Sequence, residues 1–129
     1  MRSKHMETFL LISFGAILGA NLRYWLNIWV VERVGAAFPY GTLLINLTGS
    51  FILGVFLTLI TERFVVDARW RVLVAVGFLG SYTTFSSYTY ESVNLILKGQ
   101  AWPGMLNLFG SSFLGGVAVV LGVLFARIS

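Results

Sequence analysis

The stretch GFLGSYTTFSSYTYE, residues 77–91, lies where a membrane-spanning helix is expected, yet most of its side chains are polar. Two glycines weaken a helix there, and the serine and threonine hydroxyls can satisfy the backbone groups that an interrupted helix frees. Non-helical backbone at membrane depth is tolerated only where protein or a water-filled cavity covers it. The stretch therefore predicts a broken membrane helix beside a polar path.

The rest of the chain supplies long apolar runs. Of its 129 residues, 57% are hydrophobic and 11% charged, against about 25% charged residues in soluble domains. A bilayer core of about 30 Å needs about 20 apolar residues of helix. The sequence offers four such runs, at 7–31, 39–61, 70–97 and 101–127. We predict an all-α integral membrane protein with four transmembrane helices, the third of them broken.

One domain accounts for the whole chain. The first six residues, MRSKHM, are interpreted as a leader or an expression remnant, and residues 7–129 as a single four-span transmembrane channel domain. There is no cysteine, and the one histidine, His5, lies in the leader. No cluster of His, Asp and Glu suits a catalytic metal, and no nucleophile is flanked by a base. We therefore expect a protein that is not an enzyme and does not bind nucleic acid.

The distribution of Lys and Arg gives a weak orientation signal. Four arginines lie on the side of the termini, at positions 63, 69, 71 and 127. Arg33 and Lys98 lie on the other side. Two interpretations stay open. The chain could have both termini inside, or it could insert in both orientations and pair antiparallel.

Two residues in the first two spans are polar where lipid disfavours them. Arg23 lies inside the first apolar run, so it either snorkels to the interface or forms a cationic mouth that concentrates anions. Asn46 lies in the middle of the second run. Its amide either makes an interhelical hydrogen bond or donates to a permeating anion.

The third and fourth spans carry further polar and aromatic candidates. Phe85 and Tyr88 are three residues apart, so they share a face if a helix resumes after the break. Glu91 lies one step further, and an ion pair near the membrane edge is expected for it rather than a proton-carrier role. In the fourth span, one helical stripe that could be helix contact or pore lining holds Asn107, Ser111 and Ser112.

Taken together, GTLLIN at residues 41–46 and GFLGSYTTFSSYTYE resemble the Fluc/CrcB family of fluoride channels. The resemblance extends over nearly the whole chain from about Met6. It implies an antiparallel, dual-topology homodimer in the bacterial inner membrane, with two pores that carry cytoplasmic fluoride out of the cell down its gradient. It also implies a structural Na⁺ at the dimer centre, held by the backbone carbonyls of Gly80 and Thr83 from both subunits.

The resemblance assigns roles to residues of this sequence. Ring edges and neutral donors would replace the water around fluoride. The pore positions it implies are Asn46, Phe85, Tyr88, Asn107, Ser111 and the vestibule arginine Arg23, with Thr84 and Ser87 as hydroxyl donors and Glu91 following the aromatic pair. Two departures concern pore detail: a phenylalanine is usual where Tyr88 stands, and a serine is frequent where Asn107 stands.

Two other functions remain open on the sequence. A small multidrug-resistance-type transporter is also antiparallel and of similar length, but it needs a membrane-embedded carboxylate to exchange protons. Glu91 is the only such acid here, and it lies near an edge. A non-transporting assembly subunit would use every polar residue for helix contact. Ion flux from reconstituted vesicles distinguishes the three.

Overall fold

The computed structural model describes all 129 residues, and every regular element in it is a helix. Helix α1 spans Arg2–Val34, and α2 spans Tyr40–Thr58 and continues through a wider, π-type turn at Leu59–Arg63. Helix α3 runs without interruption through Ala68–Trp70, the π-helical Arg71–Leu79 and Gly80–Tyr82. Helix α4 spans Phe85–Leu97 and α5 spans Ala101–Ile128.

Three continuous helices are long and apolar enough to cross a membrane: α1, α2 with its π-type turn, and α5. The segment predicted as the third span is divided instead into α3 and α4. Thr83 and Thr84 separate the two helices with extended backbone angles. The structure therefore supports a membrane protein made of apolar helices and has an interruption within the stretch where the sequence predicts one.

Close backbone contacts join α1 to α3 and α2 to α5. Gly15 and Gly19 of α1 lie directly against the backbone of α3, where a Cβ on either would collide with main-chain atoms of that helix. Gly54 and Gly122 do the same between α2 and α5. Small residues permit this approach, and van der Waals packing is a main source of helix association in lipid. The glycine spacing in the sequence is thus explained by packing.

The interior of the protomer is small. Only 19 of 129 residues are buried, which leaves most large apolar side chains on the outside, where lipid or a second chain must cover them. Ile45, Leu79 and Tyr82 form the buried core. Because Leu79 and Tyr82 end α3, this core lies beside the interruption and fixes its position.

The helix ends differ in detail from the expectation. Helix α1 begins at Arg2, so part of the segment interpreted as a leader is helical. Pro39, the first residue of the second apolar run, precedes α2 as its N-cap residue. At the end of the bundle that holds both termini, Arg127 donates to the Glu62 carboxylate from Nε at 3.1 Å and from Nη2 at 2.8 Å. That ion pair ties the end of α5 to the end of α2.

Candidate functional site: a polar cavity at the helix break

Asn46 of α2 bridges the interruption. Its amide oxygen accepts a hydrogen bond from the Thr84 N–H at 2.8 Å, and its Nδ2 donates to the Thr84 carbonyl at 2.9 Å. A neutral amide side chain has a donor and an acceptor side by side, which suits this pair of bonds. Of the two roles considered for Asn46, the interhelical hydrogen bond is therefore present, and one of its two N–H groups makes no hydrogen bond within the protomer.

Thr84 starts α4 as its N-cap. Its Oγ1 accepts from the Ser87 N–H at 3.3 Å, the standard way to satisfy a free amide in a first turn. The same hydroxyl donates to Ser87 Oγ at 3.1 Å. Since Ser87 Oγ accepts that bond, its own proton is free to donate elsewhere. The positive end of the α4 dipole lies at this point.

Phe85 and Tyr88 meet edge to face in the first turn of α4. Their ring centroids are 5.6 Å apart and the ring planes cross at 63°. Phe85 is 77% exposed in the protomer, whereas Tyr88 is 6% exposed. The predicted common face is confirmed, but one ring points out of the protomer and the other into the contact between α4 and α5.

The Tyr88 hydroxyl is held by α5. It donates to the Leu108 carbonyl and lies 2.6 Å from Ser112 Oγ. A phenolic O–H that is buried in a helix contact needs such a partner. The additional oxygen that distinguishes Tyr88 from a phenylalanine is thus used to fix the ring against α5.

A second set of hydrogen bonds connects α4 with α5. Asn107 Nδ2 donates to Ser92 Oγ at 2.8 Å, and its Oδ1 accepts from Ser111 Oγ at 2.9 Å. Ser92 in turn donates to the Tyr88 carbonyl at 2.7 Å. Asn107 and Ser92 are both buried, so the predicted polar stripe of the fourth span serves helix contact along this part of its length.

These groups surround one cavity of about 300 Å³ beside the interruption. The candidates that line it are Asn46, Gly80, Thr83, Thr84, Phe85, Tyr88 and Ser111. Ser87 lies next to it through Thr84, and Asn107 lines an adjoining groove that shares Ser111. The structure thus places seven of the sequence-predicted residues around a single space, with two more beside it.

Carbonyl groups at the end of α3 suit a hard cation. The last carbonyls of a helix have no intrahelical partner, and here the Thr84 N–H that could reach back is taken by Asn46. No backbone N–H outside the regular helices donates to Gly80 or Thr83. Oxygen ligands of this kind fit Na⁺, but one protomer supplies only these two from the predicted set.

Arg23 and Glu91 lie apart from this cavity. Arg23 is half-buried and makes no hydrogen bond or ion pair. Glu91 Oε1 accepts from Thr42 Oγ1 at 2.9 Å, while its buried Oε2 has no partner. The ion pair expected for Glu91 is absent from the protomer, and its one hydrogen-bond partner is the Thr42 hydroxyl. Glu91 lines a separate cavity of about 400 Å³ with Asn27, Asn94 and Lys98.

Sequence reasoning did not select two residues that the structure adds. Ser50 lines the central cavity, and Ser92 joins Asn107 to α4. Each follows a selected or cavity-lining residue by one helical turn: Ser50 lies four residues after Asn46, and Ser92 four after Tyr88. That i to i+4 spacing places each of them on the same helix face as the earlier residue. The spacing is visible in the sequence and could have identified them.

Comparison with known proteins assigns the family. Residues 10–123 match the family model described as "CrcB-like protein, Camphor Resistance (CrcB)". A protein of Koribacter versatilis named "Fluoride-specific ion channel FluC" is 48% identical over 121 residues, covering 91% of this chain and 92% of that protein.

Two further proteins of the same name agree. The one from Solibacter usitatus is 44% identical over 92% of this chain and 98% of its own length. The one from Sulfurihydrogenibium sp. is 44% identical over 95% and 98%. These relatives are named as ion channels, which agrees with the expectation that the chain is not an enzyme. The family expected from the residues is confirmed: this chain belongs to the CrcB family.

Proposed function

We propose that the chain forms a fluoride-selective channel that lets cytoplasmic fluoride leave the cell down its electrochemical gradient. The observation that carries this proposal is the convergence of Asn46, Thr84, Phe85 and Tyr88 on one cavity at the interrupted helix. The names of the relatives support the choice of ion. The apolar helices support an integral membrane setting, which we assign to the bacterial inner membrane.

Neutral donors would replace the water around the ion. Fluoride is small and strongly hydrated, so it enters a narrow path only where hydrogen-bond donors are dense. Asn46 retains one N–H, and the Ser87 hydroxyl proton is free. Both lie at the N-terminus of α4, whose dipole favours an anion. None of these groups carries a full charge, so binding stays weak enough for the ion to leave.

The aromatic pair would supply the next contact. A ring edge carries partial positive charge, and the edge-to-face arrangement of Phe85 and Tyr88 leaves ring edges available beside the donors. From there Ser111 leads to Asn107 in the adjoining groove. Asn107 has one N–H that is not used by Ser92. We assign Arg23 to the entrance as a cation that gathers anions, and Glu91 with Thr42 to the margin of the path.

We further propose that two chains pair antiparallel around a structural Na⁺. The supporting features are the carbonyls of Gly80 and Thr83 at the end of α3 and the exposure of Phe85 on the protomer surface. When bound, the ion would supply only positive charge that joins two interrupted helices. The pairing would place two pores in each dimer, and a chain with weak Lys and Arg bias can insert both ways.

Fluoride efflux from liposomes tests the channel proposal. Phe85→Ile removes the ring edge and keeps an apolar side chain, so fluoride efflux is expected to stop while the dimer still forms on size-exclusion chromatography. Phe109→Ile is the matched control because Phe109 is also largely exposed but does not line the central cavity. Unchanged efflux in Phe85→Ile would contradict the pore role of this ring.

The transporter alternative gives a different result in the same vesicles. A proton-coupled exchanger would show saturating flux that depends on a pH gradient and is lost in Glu91→Gln. We expect flux driven by the membrane potential alone, with chloride retained. The absence of any ion flux would instead favour an assembly subunit whose polar residues serve only helix contact.

A further inference from the structure

A groove on the outer surface joins α1 and α2 near the end of the bundle opposite the termini. It has a volume of about 470 Å³ and is apolar except for one residue. Its lining includes Trp29, Arg33, Tyr40, Leu43, Leu44 and Leu47. The central cavity, described above, shares none of them.

The one charged residue of the groove is Arg33, near the end of α1. The Arg33 guanidinium lies 4.1 Å from the centre of the Trp29 ring, in a cation–π contact that orients it. Arg33 makes no ion pair. Its neighbour Glu32 makes none either and does not line the groove. The groove therefore presents one positive charge without a carboxylate partner.

The groove has the depth of a lipid headgroup region and the first part of an acyl chain. Tyr40 opens α2 and lines the groove together with Arg33, and Leu47 lies seven residues further into that helix. At 1.5 Å per residue this is about 10 Å. Trp29 and Tyr40 are of the residue type found at the boundary between headgroups and chains. A charged and aromatic rim therefore stands above an apolar wall.

We propose that this groove is a binding site for one anionic phospholipid, with its phosphate at Arg33 and an acyl chain along Leu43, Leu44 and Leu47. Charge complementarity selects the occupant: a basic residue at the membrane surface attracts anionic headgroups, and the apolar wall below it matches a chain. A zwitterionic lipid fills the same wall but gains less at Arg33. Each basic contact corresponds to about fivefold enrichment of the anionic lipid, or about 1 kcal/mol.

Tryptophan quenching tests the site. A protein with Trp29 as its only tryptophan is reconstituted in phosphatidylcholine vesicles that contain a minor fraction of either brominated phosphatidylglycerol or brominated phosphatidylcholine. Phosphatidylglycerol is expected to quench Trp29 as if about fivefold enriched over its bulk fraction. This excess should be lost in Arg33→Gln and kept in Lys98→Gln, which removes a cation at the same end of the bundle but outside the groove.

Three outcomes would overturn the proposal. Equal quenching by both lipids would show that the groove does not distinguish the two headgroups. Absence of quenching by either lipid would show that a second chain covers the groove. Excess quenching that survives Arg33→Gln would exclude Arg33 as the contact. Native mass spectrometry of the protein with all four tryptophans present gives a second measurement, because bound phosphatidylglycerol should decrease in Arg33→Gln and not in Lys98→Gln.

Discussion

Removing the Asn46 side chain should destabilise the protomer more than any other single polar truncation in α1 or α2. In Asn46→Ala, the N–H and the C=O of Thr84 both lose their partners, at 2.8 and 2.9 Å. Thr84 is only 8% exposed, so water does not readily replace them. An unsatisfied buried polar group costs about 1–3 kcal/mol, which gives a total of roughly 2–6 kcal/mol for the two groups.

Asn21→Ala is the matched control. Asn21 also lies in a membrane helix, but it is exposed and its amide donates to the carbonyl of Ile17 one turn before it in the same helix. Its removal orphans no backbone group, so the change in the free energy of unfolding should stay within about 0.5 kcal/mol. Reversible unfolding in mixed micelles of both variants gives the difference directly.

Asn46→Asp separates the structural role from the proposed ionic one. A protonated Asp offers an O–H to the Thr84 carbonyl and a C=O to the Thr84 N–H, so at low pH it should lose less stability than Asn46→Ala. An ionised Asp instead turns a carboxylate oxygen toward that buried carbonyl and should lose more. It also places a fixed negative charge in the cavity, which should abolish fluoride efflux. If Asn46→Ala is no less stable than Asn21→Ala, the bridge across the helix break is not a stabilising contact and the reasoning is wrong.

Three further variants, one of them with a matched control, test other parts of the protein. Ser92→Ala leaves Nδ2 of buried Asn107 without its partner and should lower the free energy of unfolding by about 1–3 kcal/mol; no change in denaturant midpoint would argue against that contact. Gly122→Val adds a side chain where a Cβ already collides with α2, so it should prevent folding or dimer assembly. Gly116→Val, which meets open space in the protomer, should not do so. Tyr88→Phe removes the hydroxyl that binds α5 and should cost about 0.5–1.5 kcal/mol with efflux retained; complete loss of efflux would instead give the hydroxyl a direct role in the path.

The position of the helix break was accessible from the sequence, whereas its bridging contact was not. Gly77, Gly80 and the hydroxyl run weaken a helix locally, and local composition is what sequence patterns report. The partner of Thr84 is Asn46, 38 residues away. Both roles considered for Asn46 were compatible with an isolated α2, and only the packing of α2 against the break shows the interhelical hydrogen bonds.

The orientation of side chains around α4 shows the same limit. The three-residue spacing of Phe85 and Tyr88 predicts a common face, which the structure has. Which ring turns outward depends on the rotation of α4 against α5, and so does the capture of the Tyr88 hydroxyl by Leu108. Glu91 likewise meets a hydroxyl of α2 and no cation. Such contacts depend on the helix arrangement and not on the local sequence.

The exposure of Phe85 indicates that one chain alone does not enclose the path. A ring that is 77% exposed at the rim of a polar cavity needs a second surface to enclose a path. The antiparallel dimer proposed above would provide that surface, and it would bring further carbonyls to the two at Gly80 and Thr83. Cross-linking of single-cysteine variants in this cysteine-free chain measures whether the α3 ends of two copies meet.

The most direct measurement is anion efflux from liposomes that contain the purified protein, with a potassium gradient and valinomycin to set the membrane potential. Neutral donors and ring edges around a small cavity predict rapid fluoride efflux that follows the potential, with chloride retained in the same vesicles. Chloride efflux at a rate similar to that of fluoride, or no efflux of either ion, would contradict selection of fluoride by these uncharged groups.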